Sequence, residues 1–338
     1  MLEAANAPMG TLAQRPPATM LNKDRLYLAT DKGLLFVSTG SAWVPVTLDA
    51  SMIESGVLSP ERLGAGMPTS DAVLHPDGWR NDKISTLREV LAANRTYYVR
   101  TDGSNSNDGL ANTAGGAFLT LAKAAAVVGT LDLSVYAVTI QFGNAGTYAG
   151  AVITGIWVGG PGSSVTIKGD TASPSSYVIS DQIAADYGCV INVQGLKFTS
   201  SNYGVHASNK STINVDGTCD FGVCTNAHII VERQSAVIVT ANCTISGGAG
   251  QHIYCTNNAF AFEAGVTLTL TGTPAFSSAW VYNEVGSTGQ YNANTYTGSA
   301  TGTRYVCNSN SVIDTKGNAT TYFPGNAAGT TATGGQYV

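Results

Sequence analysis

Lys197-Phe198-Thr199-Ser200, Asp220-Phe221-Gly222, Thr244-Ile245-Ser246-Gly247, Thr269-Leu270-Thr271-Gly272 and Thr295-Tyr296-Thr297-Gly298 fall beneath one another when the chain is written in successive short lengths. Their central residues, Phe198, Phe221, Ile245, Leu270 and Tyr296, are 23, 24, 25 and 26 residues apart. Two positions earlier the column reads Leu196, Cys219, Cys243, Leu268 and Asn294. A second ladder is Val205, Ile229, Ile253, Val281 and Val306, and a third is Ile191, Ile213, Ile238, Phe262 and Tyr291. Three short alternating segments per roughly 24 residues are what a right-handed parallel β-helix requires: each coil gives one strand to each of three sheets, and inward positions stack. A propeller needs about 40 or more residues per repeat, and the Asn/Leu consensus of a leucine-rich repeat is missing. The fold expected is therefore all-β, a right-handed parallel β-helix with rungs about 4.8 Å apart.

Outward from this repeat the chain divides into four. Residues 1–48 contain an aperiodic start and then alternating segments around Asp31-Lys32-Gly33, which predict a small β-hairpin module. Residues 49–97 read as a connector ending in a short neck helix, with Ile84, Leu87, Val90 and Leu91 on one face and Asn81 or Asp82 as N-cap. The β-helix is assigned to 98–312 and a C-terminal cap or tip to 313–338. Phe118–Val128 predicts a short helix that plugs the open end of the coil core.

Composition sharpens this. The chain carries 17 Lys+Arg and 22 Asp+Glu, 12% charged, where about 25% is usual. Nineteen charges fall in residues 1–97, fifteen in 98–238 and five in 239–338. A net charge of −5 argues against nucleic acid as partner, because phosphate binding needs clustered Lys and Arg. No apolar run reaches the roughly 18 residues of a membrane helix, so no membrane insertion is expected. The N-terminus lacks the basic start and apolar core of a secretory signal, which speaks against a secreted adhesin. All six cysteines lie in the second half without a CxxC pair, and are expected as buried thiols rather than zinc ligands. Cys219 and Cys243, on adjacent rungs, are also close enough for a disulfide.

Tyr97-Tyr98-Val99-Arg100-Thr101-Asp102-Gly103-Ser104-Asn105-Ser106-Asn107-Asp108-Gly109, with Gly115–Thr120 after it, resembles the opening of pectin-lyase-like β-helices in bacteriophage tail spikes and fibres. Tyr322–Gly329 and Gly334-Gly335-Gln336-Tyr337 are similar to the endings of such proteins, and Thr11–Pro16 with Arg25-Leu26-Tyr27 and Ala42-Trp43 to their N-terminal modules. The resemblance implies a homotrimeric virion protein, assembled in the host cytoplasm. Residues 1–48 would hold other tail, baseplate or collar proteins, and the coils would face host cell-surface polysaccharide.

Many such proteins cleave glycans, which takes two carboxylates roughly 5–9.5 Å apart. If Asn214, Val239 and Glu263 share a column, Asp216 and Glu263 lie two rungs apart on one sheet, roughly 10 Å. Nothing else marks this pair, so no catalytic residue is assigned beyond it, and Arg233 beside Glu232 reads as a turn ion pair. The stretch from Asp102 departs from the EF-hand pattern at its sixth and twelfth positions, Asn107 and Thr113, and Asp102–Gly109 reads as Asx-turns. Neither metal nor cofactor is expected.

His228 and His252 stack, and Trp280 and Tyr305 continue their column. Because each precedes a residue assigned inward, strict alternation turns this column outward. With Tyr282, Asn283 and Asn308 it offers aromatic faces and amides, which suits sugars; a trimer interface enriches the same residues. The function expected is a non-enzymatic structural virion component that binds host polysaccharide. The alternatives are a polysaccharide depolymerase of the same fold, glycosidase or lyase, and a purely architectural collar or head spike.

Overall fold

A computed structural model of the chain describes residues 8–46, 73–75, 78–80 and 88–338. It divides into two compact units, Met1–Thr86 and Leu87–Val338.

In the first unit, Leu26–Ala29, Leu34–Ser38 and Trp43–Pro45 form an antiparallel meander, because Gly33 takes the left-handed conformation (φ 62°) that the tight turn needs. The aperiodic start is not featureless: Met9–Gly10 pairs in parallel with Leu28–Ala29. A small core of Tyr27, Ala29 and Phe36 is flanked by Leu12 and Trp43, and the Arg15 guanidinium lies 4.4 Å from the Phe36 ring centroid. Val73–His75 and Gly78–Arg80 form a separate antiparallel pair.

The second unit is a right-handed parallel β-solenoid of about eight turns, with about 24 residues per turn. The first sheet has ten strands, from Arg95–Val99 to Gln336–Tyr337. The second has seven, from Gly146–Tyr148 to Thr295–Thr297. The third has nine, from Ala151–Thr154 to Thr330–Thr331, with Thr301–Gly302 attached beside Ala275–Asn283. The strands at 330–331 and 336–337 carry the sheets beyond residue 312.

Inward residues stack as the repeat requires: Phe198–Phe221–Ile245–Leu270 in the second sheet, and Val205–Ile229–Ile253–Val281 in the third. Five rungs, spread over all three ladders, differ from the sequence reading. Tyr296 lies opposite Leu268, not Leu270, and Tyr305, not Val306, follows Val281. In the first sheet Ile213 is followed by Val237, Ala261 and Gly289, not by Ile238, Phe262 and Tyr291. Ala236-Val237-Ile238-Val239 is apolar throughout, so alternation cannot set its phase, and a slip of one residue exchanges the faces. Tyr291 is nonetheless fully buried, because its ring occupies the space that a side chain at Gly289 would need.

The helix Leu121–Val128 is capped by Thr120, whose hydroxyl accepts from the Lys123 amide at 3.2 Å. Leu121, Ala124, Ala125 and Val128 form its buried face, at helical spacing, and close one end of the core. No helix among the described residues is long and apolar enough to cross a membrane. The expected neck helix is corrected where it is described: Glu89–Val90 is a strand parallel to Leu131–Asp132, Val90 is exposed, and Leu91 is buried in the solenoid core. Ile84 and Leu87 lie outside the described residues. At the other end Phe323 is buried against Tyr291, Tyr305 and Tyr337. All six cysteines are buried free thiols, Cys219 and Cys243 included.

Phe221 stacks on Phe198 with ring centroids 5.5 Å apart and also meets His228 at 5.6 Å. Phe221→Ala therefore opens a cavity that neighbouring rungs, held by their own hydrogen bonds, cannot collapse to fill. Denaturant titration is expected to show a loss of about 3–5 kcal/mol.

Candidate functional site: a turn-ladder groove and the sheet face beside it

Five residues expected to face outward are inside. His228, His252, Trp280 and Asn283 are fully buried, and Tyr305 is nearly so. Asn283 continues the inward column of Val231 and Cys255, and Tyr305 follows inward Val281; for His228, His252 and Trp280 the physical reason is the corner between the second and third sheets. There His228 and Ile229 are both buried in succession, as are His252 and Ile253, and Trp280 and Val281. The pairing register also shifts between Ala249 and Gln251, so alternation does not run through the corner. Gly204 holds the equivalent position one coil earlier, where a Cβ would lie 2.8 Å from the His228 carbonyl oxygen.

These residues build a polar seam in the lumen. His228 Nδ1 and His252 Nδ1 are 3.1 Å apart, and His252 Nε2 is 3.0 Å from Glu263 Oε2, both side chains being 0% exposed. Asn294 Nδ2 donates to the Glu263 backbone oxygen at 2.8 Å. Trp280 stacks over His252 at 4.5 Å, and Asn283 accepts from the Tyr291 hydroxyl at 3.1 Å. Glu263 is thus a core residue on the column of Val215 and Val239, while Asn214 pairs with Ile238. Asp216 is exposed and accepts from Gln194 Nε2 at 3.1 Å. The two carboxylates face opposite sides of the sheet wall and make no catalytic pair.

Tyr282 and Asn308 do lie on the outer face of the third sheet, where Asn308 Nδ2 donates to the Tyr282 hydroxyl at 3.2 Å. Tyr254 stacks on Tyr282 at 5.4 Å and donates its hydroxyl to Glu284; burial, and then that carboxylate, raise the Tyr254 pKa. Two coils away from Tyr254 on the same column, His206 Nε2 meets Glu232 Oε1 at 3.2 Å, the same oxygen that Arg233 Nη1 reaches at 3.2 Å. Asp186, Ser208, Glu232, Thr256, Glu284 and Asn308 form one outer column that begins each passage to the first sheet.

That passage is the most regular feature of the surface. Asn209-Lys210, Arg233-Gln234, Asn257-Asn258 and Ser309-Asn310 are pairs of consecutive left-handed residues, as are Tyr187-Gly188 and Val285-Gly286. Each turn bonds to the next: Gly188 N donates to Asn209 O at 3.0 Å, Lys210 N to Arg233 O at 3.1 Å, and Gln234 N to Asn257 O at 3.1 Å. Left-handed backbone is costly for residues other than Gly and Asn, and these inter-turn bonds hold it in place. Beneath the turns Ser211 and Ser235 form an internal hydroxyl ladder, with Ser211 N donating to Ser235 Oγ at 3.2 Å.

Over the first four turns lies a groove of about 630 Å³, lined by Ile156, Tyr187, Lys210, Arg233, Gln234 and Asn257. Its end wall comes from the loop 155–163, where the tight turn of later coils is replaced by a longer excursion anchored by Trp157 Nε1 donating to Val190 O at 2.8 Å. Ile156 is 76% and Tyr187 66% exposed, so the groove has an apolar end and a polar, cationic end. Asp186 beneath Tyr187 is burdened by burial, yet donors from Ser208, Asn209 and the Tyr187 amide outweigh this and hold its pKa below the ordinary carboxylate value. Sequence reading missed the groove. Its signal was the recurrence of Gly or Asn two residues after the outer polar column (Gly188, Asn258, Gly286, Asn310) and of Ser three residues after it (Ser211, Ser235, Ser287, Ser311), a turn signature hidden among many other polar residues.

The Asp102–Gly109 segment spends side chains on backbone amides: Ser104 Oγ accepts from the Ser106 amide at 3.3 Å, and Asn105 Oδ1 from the Leu119 and Thr120 amides, each at 3.1 Å, at the start of the capping helix. No family model matches the chain, and neither a curated protein nor a solved structure matches it.

Two stability predictions follow from the seam. Glu263→Ala strands His252 without its acceptor and is expected to cost about 3–5 kcal/mol in denaturant titration, with Glu263→Gln costing less. Burial, and then the neighbouring His252, hold the His228 pKa well below its ordinary 6.5. The unfolded chain therefore takes up the proton first as pH falls. Stability from this group is complete above about pH 6.5 and is lost below it by about 1.4 kcal/mol per pH unit. His228→Phe is expected to remove that slope between pH 6.5 and 5, measured as Tm or ΔG against pH.

Proposed function

We propose that the chain is a structural, polysaccharide-binding component of a phage tail spike, tail fibre or similar virion appendage, and that it binds without cleaving. The observation that carries this is the groove: a largely exposed tyrosine beside an isoleucine wall, with asparagine and glutamine amides on turns fixed to one another by backbone bonds. Aromatic faces stack on the C–H faces of sugars while amides bond hydroxyls, and a preorganised surface loses little entropy on binding. Support for the virion setting comes from the resemblance of Tyr97–Thr120 and of the C-terminal Tyr322–Gly329 to phage β-helices. In that setting the protein is a homotrimer, attached to the particle through residues 1–48, and three grooves held rigidly raise avidity by orders of magnitude.

A second reading, a depolymerase, is favoured by one observation. Glu232 and Glu284 sit two coils apart on the outer column, about 10 Å by rung spacing, each bonded to a proton-carrying partner, His206 and Tyr254. That spacing lies at the upper edge of the inverting range.

Binding of the full-length protein to immobilised capsule and lipopolysaccharide panels tests the first reading. Tyr187→Ala is expected to weaken binding up to about tenfold, the equivalent of about 1.4 kcal/mol, with Tm nearly unchanged because the side chain is exposed. Unaltered binding by this variant moves the site elsewhere, and binding to no glycan on the panel removes the function. New reducing ends released by the wild type, and lost in Glu232→Gln or Glu284→Gln, would favour the depolymerase.

A further inference from the structure

The groove's charge carries the proposal one step further. Residues 98–338 hold eight cationic side chains other than histidine: Arg100, Lys123, Lys168, Lys197, Lys210, Arg233, Arg304 and Lys316. Several are spent on neighbours. Arg100 is paired with Asp102, Lys197 with Asp220, and Lys316 with Asp314. Lys210 has no anionic partner among the described residues and stands on the groove. Arg233, on the next coil, spends Nη1 on Glu232 and leaves the rest of its guanidinium fork free, with its side chain more than half exposed. Two carboxylates on the neighbouring outer column, Asp186 and Glu232, are each engaged through one oxygen by their own neighbours. Asp186 Oδ1 accepts from Ser208 Oγ at 2.8 Å, Asn209 Nδ2 at 2.7 Å and the Tyr187 amide at 2.9 Å. Glu232 is shared between His206 and Arg233.

The inter-turn bonds place Tyr187, Lys210 and Arg233 on three successive coils, about 4.8 Å apart. A sugar lying on the Tyr187 ring therefore sets its neighbour along the solenoid axis over Lys210 and Arg233, where one anionic group is within reach of both cations. We propose that the groove selects acidic polysaccharide, reading the negative charge of a sugar unit through Lys210 and Arg233 next to a sugar stacked on Tyr187. The inference rests on the glycan-binding function proposed above and names its ligand class.

The test uses the full-length protein and four soluble probes: alginate, carboxyl-reduced alginate, dextran sulfate and dextran. Alginate and dextran sulfate separate carboxylate from sulfate ester as the source of charge. Binding to at least one acidic probe is expected to exceed binding to its neutral counterpart by tenfold or more, and to weaken as salt rises from 50 to 500 mM. Lys210→Ala and Arg233→Ala should each cost about three- to tenfold on the acidic probe and nothing on the neutral one, while Lys316→Ala, away from the groove, should cost nothing. Equal binding to acidic and neutral forms overturns the charge selection and leaves glycan binding standing. Equal losses in Lys210→Ala and Lys316→Ala also overturn it, since they mark general electrostatics. Failure to bind any probe, together with failure on the capsule and lipopolysaccharide panels, overturns both.

Discussion

The whole of the second unit depends on one constraint: residues at equivalent positions of successive coils are stacked about 4.8 Å apart by parallel backbone hydrogen bonding. Whatever occupies a column must tolerate a near copy of itself above and below. Inward, this selects aliphatic and aromatic stacks such as Val205–Ile229–Ile253–Val281. Outward, it disfavours repeated like charges, and Asn192 and Asn214 instead bond to each other at 2.8 Å. The charge deficit of the later coils follows from the same rule.

The lumen departs from the apolar stacks at its polar seam. His228, His252 and Glu263 bring three titratable groups into the core, where burial penalises any unpaired charge. They are kept by mutual hydrogen bonds, by Asn294, and by the rings of Phe221 and Trp280. The turn ladder solves a related problem outside. Non-glycine residues held in left-handed backbone are stabilised because each turn's amide is taken by the carbonyl of the next. Rigid turns displaying Tyr187, Lys210 and Arg233 are the consequence, and they make this edge the part of the surface best suited to recognition.

Much of this was legible in the sequence. The coil length, the inward columns through Ile229 and Phe221, and the capping helix at 121–128 come from periodicity, which local chemistry sets. What escaped was phase. At Val237-Ile238 an uninterrupted apolar run carries no alternation, and at His228-Ile229 the chain turns a corner with two side chains inward. Assigning the histidine column outward followed from applying a strand rule to a bend, and the pairing of Asp216 with Glu263 failed through the same one-residue slip. The groove escaped for another reason: it is assembled from residues 187, 210, 233 and 257, each unremarkable alone and meaningful only once stacked.

Hydrogen exchange across the whole chain, with and without a polysaccharide that the protein binds, tests the central claim most directly, because it asks where on the solenoid the ligand lies. Slowed exchange confined to the turns at 187–188, 209–210, 233–234 and 257–258 and to the loop 155–163 is the predicted result. Protection centred on another face, with these turns unchanged, would contradict it.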